Sequence, residues 1–195
     1  MGTDRRRKCE LKEILKKLIA IPSVTGNEHD IAIYIADYLR QCGVDSVELQ
    51  PVEGNRLNVV AHLKGEKAGP VVLLTGHMDT VAPGEGWRTD PFKATERDGR
   101  IYGRGAADMK GGIAAILVAI RNAAAQREQM RGEAIIAFVC DEEAYSKGVD
   151  ALIRSGIRAD YGIAAEPEWD AVIGAVGKML IKVRVYGIAA HGSQP

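Results

Sequence analysis

Leu11, Ile14, Leu15, Leu18 and Ile19 recur at helical spacing within ELKEILKKLIAI, residues 10–21, and predict an amphipathic surface helix. Thr25 and Glu28 then form a Thr-x-x-Glu pair ahead of a second periodic run, IAIYIADYL. That pattern reads as a capping box, and Gly43 is placed to end the helix. Residues 44–50 and 56–63 read as strands, the second apolar at most positions. PVVLLT, residues 70–75, is a short apolar run between turn signals, which predicts a central buried strand. Residues 76–107 are loop-rich, with a small hairpin signalled by Asp98-Gly99. KGGIAAILVAIRNAAA, residues 110–125, is apolar on nearly every face and predicts a buried helix. EAIIAFVC, residues 133–140, reads as a second central strand, 146–155 as a short helix and 161–165 as another strand. Residues 178–186, KMLIKVRVY, alternate apolar and charged, as a strand solvated on one face does.

Strands alternating with helices predict an α/β fold, with a mixed, mostly parallel central sheet flanked by helices. Ligands of such a sheet gather at the carboxyl ends of its central strands. The 195 residues suit one domain, or one domain plus part of another. They bury a core without needing a disulfide or metal staple. No apolar run approaches the ~18 residues of a membrane helix. The opening Met-Gly-Thr-Asp-Arg-Arg-Arg-Lys has no apolar stretch behind it, so no signal peptide is expected. Lys plus Arg and Asp plus Glu each number 26, and this zero net charge argues against a nucleic-acid partner. Cys9, Cys42 and Cys140 form no Cys-x-x-Cys pair, which excludes a disulfide framework or a thiolate zinc site and suits a reducing, cytoplasmic compartment.

Chemistry concentrates after the apolar strands. His77-Met78-Asp79 follows LLTG, Asp141-Glu142-Glu143 follows IIAFVC, and Glu166-Pro167 follows YGIAA. Asp108 opens the buried helix behind Gly103-Arg104-Gly105. Singly, each has a structural explanation: a turn, a helix N-cap, a solvated acidic loop, a strand exit. Jointly, they aim carboxylates and an imidazole at one edge of the sheet. Like charges so grouped repel unless a cation neutralises them, and divalent metals take these ligands.

GHMDTVAPGEGWRTDPF, GRIYGRGAADMKGG, DEEAYSKG, AAEP and GIAAHGSQP, in this order, resemble the zinc exopeptidase and deacylase family. That family includes acetylornithine deacetylase, succinyl-diaminopimelate desuccinylase, carboxypeptidase G and aminoacylase. The resemblance runs from about residue 8 to the end of the chain and implies a two-metal hydrolase. His77 and Glu166 would bind one metal, Glu143 the other, and Asp108 would bridge them. Asp79 would accept the remaining imidazole N–H of His77. Glu142 would be the general base, moving a proton from the attacking water to the leaving amine. The peptide after Asp108 would be cis. His191 would stabilise the oxyanion, often from the partner subunit of a dimer. Trp87, Asp90 and Phe92 match a loop near the family's site, although ordinary loop packing explains them equally.

The implied cofactor is Zn2+, two ions per complete site, with Co2+ or Mn2+ as alternatives. The implied substrates are N-acyl amino acids or short peptides, with no nucleic-acid or membrane partner, and a homodimer at full length. Residues 1–176 would form the N-terminal part of the catalytic domain. Residues 177–195 would open an inserted α+β lid or dimerisation domain, of which only the first strand is present. No His follows His191 to complete the second metal, so a C-terminally truncated chain is expected. Two functions remain open: a metal-dependent amidohydrolase, or a non-catalytic fragment that binds metal or a partner.

Overall fold

The computed structural model describes residues 2–167 and Val172. The strand expected over residues 178–186, the domain boundary expected at 176–177 and His191 lie outside the described residues. Helix α1 spans Gly2–Ala20, beginning earlier than expected because Arg5, Arg6, Arg7 and Lys8 are good helix formers. Helix α2, His29–Gln41, buries Ile31, Ala32, Ile35, Ala36 and Leu39 on one stripe. It ends at Cys42, and Gly43 takes the left-handed φ of 75° that a helix stop favours.

Strands β1 (Ser46–Glu53), β2 (Arg56–Lys64), β3 (Lys67–His77), β6 (Arg131–Val139) and β7 (Tyr161–Ala164) form one sheet, in the order β1-β2-β6-β3-β7. β2 runs antiparallel to β1 and β6, while β6, β3 and β7 are mutually parallel. The sheet is therefore mixed, and among the described strands β2 alone is reversed. β1 runs past its expected end through Pro51, a residue without an N–H that an edge strand tolerates. A small hairpin, β4 (Thr95–Arg97) and β5 (Arg100–Tyr102), turns at Asp98 and Gly99, both at positive φ.

Helix α3, Gly111–Ala124, packs on the same sheet face as α1 and α2. It is not buried all round: Ala115 and Ala119, four residues apart, form an exposed stripe. Side-chain alternation divides the sheet. Val59, Ala61, Leu63, Ala134, Ile136 and Phe138 join the core beneath α1–α3. Val60, Ile135, Ala137 and Val139 pack with Leu152 of α4, Lys147–Arg154, on the other face. Among the described residues, no helix is long and apolar enough to cross a membrane.

Candidate metal centre

Three parallel neighbours place their carboxyl ends together, with His77 of β3 opposite Val139 of β6 and Thr75 opposite Ala164 of β7. Each chain then leaves the sheet with its acidic segment. Asp108 arrives from an irregular turn, Ala106–Lys110, between β5 and α3. Asp108 (φ −112°, ψ 100°) and Met109 leave helical geometry there, and the peptide joining them is cis. Lys110, fully buried, closes the turn by donating its ammonium to the Leu18 and Ile21 carbonyls at 2.9 and 2.8 Å. Those carbonyls belong to the C-terminal end of α1 and its exit, where a cation is favoured.

The donor atoms of His77, Asp108 and Glu143 lie within 4.8 Å of one another. His77 is 2% exposed, and its Nε2 is 2.9 Å from Asp108 Oδ1 and 3.9 Å from Glu166 Oε2. Its Nδ1 is 2.9 Å from the main-chain oxygen of Asp79 and 3.5 Å from the Asp79 carboxylate. The main-chain oxygen is thus the nearer of the two Asp79 acceptors facing the imidazole, with the expected carboxylate behind it. Burial works against the imidazolium, but Asp79, Asp108 and Glu166 outweigh it and raise the His77 pKa to about 9. Burial, and then the Asp108 carboxylate, raise the Glu143 carboxyl. Burial also works against the Asp79 carboxylate. Its bonds from His77, the Glu143 N–H, Thr25 and the Glu142 N–H nevertheless hold it below the ordinary range.

This donor set suits a divalent cation: one imidazole and several carboxylates, crowded enough to perturb one another, on a rigid sheet edge. Asp79 is itself fully buried, and its two oxygens accept the main-chain N–H groups of Glu142 and Glu143, each at 3.0 Å. One carboxylate therefore sets the backbone of both glutamates.

Sequence reasoning missed the residues behind this loop. Thr25 and Glu28 form no capping box: the Thr25 hydroxyl donates to Asp79 Oδ2, and the Glu28 carboxylate accepts the Gly26 N–H rather than that of Thr25, which goes to the Thr80 carbonyl. Glu28 and Asp141, both buried, receive the guanidinium of Arg56. The sequence offers only Arg56 at the head of an otherwise largely apolar strand; it is the burial of that Arg in the fold that requires carboxylate partners. In the loop after Asp79, Trp87 donates to the Pro83 carbonyl and Arg104 lies over its ring, while Asp90 accepts the Phe92 N–H. These are ordinary loop contacts. A cleft of about 350 Å3 between this loop and the hairpin is lined by Trp87, Arg88, Arg97 and Tyr102, and by none of the metal-centre residues.

Succinyl-diaminopimelate desuccinylase of Bordetella petrii is 34% identical over 195 aligned residues, 93% of this chain and 50% of the relative. The same enzyme of Bordetella avium is 36% identical, over 94% of this chain and 51% of the relative. The chain spans about half the length of the curated relatives it matches. Among solved structures, the metallo-carboxypeptidase Sso-CP2 of Sulfolobus solfataricus superposes with a TM-score of 0.71 at 25% identity, covering 80% of this chain and 37% of that one. Residues 73–186, more than half of the chain, match peptidase family M20/M25/M40, and the protein belongs to that family.

Proposed function

We propose that the protein supplies the metal centre of a hydrolase that cleaves amide or peptide bonds in N-acyl amino acids or short peptides. The observation that carries this reading is the convergence of His77, Asp108 and Glu143, with Glu142 on the same loop. Family membership and the desuccinylase relatives support it. His77, Asp108 and Glu166 would hold one cation, and Asp108 and Glu143 would contribute to a second. Zinc suits the mixed imidazole and carboxylate donors, with Co2+ or Mn2+ as substitutes. Bound divalent cations polarise the scissile carbonyl and acidify water.

The chain's own residues divide the remaining work. Glu142 accepts a proton from the attacking water and returns it to the departing amine nitrogen, so the proton count balances. Asp79 orients His77 through its carbonyl and orients the glutamate loop through its carboxylate. His191 would stabilise the oxyanion, from a partner subunit in a homodimer of the complete protein. A cytoplasmic location suits the three free thiols.

The test is a zinc and Co2+ titration of the purified chain, followed by hydrolysis assays on N-succinyl amino acids, N-acetyl amino acids and dipeptides. Metal uptake with release of free amine is expected. Uptake without turnover would favour the non-catalytic metal-binding reading, and absence of uptake would remove the metal centre.

A further inference from the structure

We propose that the turn at residues 25–28, with Arg56, is a brace that positions Glu142 and Glu143. Thr25, Glu28 and Arg56 are then positioning residues of the metal centre. The inference rests on the reading of Glu143 as a metal ligand.

The brace has two arms that leave one turn and reach both sides of the glutamate pair. In the first, the Thr25 hydroxyl donates to Asp79 Oδ2 at 2.9 Å. The Asp79 carboxylate then accepts the Glu142 and Glu143 N–H groups, one on each oxygen. In the second, three residues along the turn, Glu28 is fully buried and accepts Arg56 Nε at 2.9 Å and a second guanidinium N–H at 2.5 Å. The same guanidinium reaches Asp141 Oδ1 at 2.8 Å. Asp141 Oδ2 accepts the N–H groups of Tyr145 and Lys147 at 3.2 and 3.1 Å, and its carbonyl accepts that of Ser146 at 2.7 Å. Asp141 holds a φ of 69°, a left-handed conformation that a non-glycine residue keeps only when its surroundings impose it.

The base of the brace is fixed as well. Thr25 N–H donates to the Thr80 carbonyl at 3.1 Å, and Thr80 N–H to the Ser23 carbonyl at 2.9 Å. The turn is thereby tied to the segment that carries His77 and Asp79. Both arms end on main-chain N–H groups of one loop, so they set where its backbone lies and leave the glutamate side chains free. Burying the Arg56 ion pairs costs desolvation, and apolar packing would stabilise the fold at least as well. What the ion pairs add is a fixed loop geometry, which a metal centre needs to within about 0.5 Å.

The test compares Thr25→Val, which removes the hydroxyl at nearly constant shape, with Thr25→Ser, which keeps it. Co2+ affinity of the whole chain is measured by titration, and backbone amide exchange is followed without metal. Thr25→Val should bind Co2+ about 10–100-fold more weakly. Its Glu142 and Glu143 amides should exchange roughly ten-fold faster, with α3 and β6 unchanged. Thr25→Ser should match the parent in both. Arg56→Lys, which keeps the charge but not the fork, should speed exchange at Tyr145 and Lys147. A purely stabilising role would speed exchange across α3 and β6 together and leave the affinity of the folded chain intact, which would overturn the proposal. Glu143→Ala separates the two layers. If it weakens Co2+ binding while Thr25→Val does not, the brace is wrong and the ligand reading stands. If Glu143→Ala binds Co2+ like the parent, the ligand reading falls and the brace falls with it.

Discussion

Asp79 binds the backbone of Glu143 rather than its side chain, the Glu143 N–H donating to Asp79 Oδ2 at 3.0 Å. The Glu143 carboxylate is thereby released toward His77 and Asp108, where a donor atom of each lies within 4.8 Å of the others. Asp79→Asn would keep the shape but set an NH2 group against one of the two loop N–H donors. Metal affinity should fall by about 10–100-fold, as expected when a group supporting the ligands is lost. Titration with zinc against a competing chelator measures this, and an affinity within two-fold of the parent would refute it.

Glu142 shares the loop with Glu143 but is assigned the proton transfer and no metal. Glu142→Gln should therefore leave metal content unchanged. In any preparation that turns over, it should lower kcat by roughly 10²–10⁴-fold, the usual worth of a general base. Metal content and kcat need to be read on the same sample. Loss of metal would exchange the roles of Glu142 and Glu143.

Arg56 and Glu28 make a buried pair, with side chains 10% and 0% exposed. Removing Glu28 takes two charged hydrogen bonds from the guanidinium and leaves Asp141 as its close buried carboxylate. Glu28→Ala should cost about 1.5–3 kcal/mol in urea unfolding, more than an exposed ion pair such as Arg40–Asp37 would. A cost under about 1 kcal/mol would mean that water reaches the site.

Cys140, the residue before Asp141, is fully buried. Burial pushes its thiol up to about 12, whereas Cys9 is exposed. Alkylation at pH 8 should label Cys9 in the folded chain and Cys140 only on unfolding, because the thiolate is the reacting form. Equal labelling rates in the native chain would contradict the buried placement.

Strands β3, β6 and β7 were legible because their apolar runs are continuous, and the clustering of His77 with Glu143 because each follows such a run, His77 after LLTG and Glu143 after FVC. Periodicity does not report partners. Thr25 and Glu28 satisfy the local capping pattern, yet Thr25 bonds to a residue 54 positions away and Glu28 to one 28 positions away. Glu28 keeps one local bond, from the Gly26 N–H, but the tertiary partners decide where both side chains lie. The exposed stripe of α3 was hidden for a different reason: alanine counts as apolar but suits a solvated helix face as well as a buried one.

Gly112 explains the second glycine of the Lys-Gly-Gly sequence. A Cβ there would lie 2.1 Å from the main-chain oxygen of Ala165 and 2.9 Å from its Cβ. The first turn of α3 thus packs directly on the backbone that leaves β7, one residue before Glu166. Ala165 is itself fixed by its N–H bond to the Thr75 carbonyl at 3.1 Å, so it has little room to retreat. Helix propensity alone favours Gly112→Ala by up to about 1 kcal/mol. The clash should reverse that sign and destabilise the chain by about 1–3 kcal/mol, as overpacking does. It should also push Glu166 away from His77 Nε2, now 3.9 Å distant, and weaken the cation site that the two are proposed to share. Urea unfolding and zinc titration of Gly112→Ala should therefore both show losses. A variant that is more stable than the parent and binds zinc equally well would mean that Glu166 is not held through this contact.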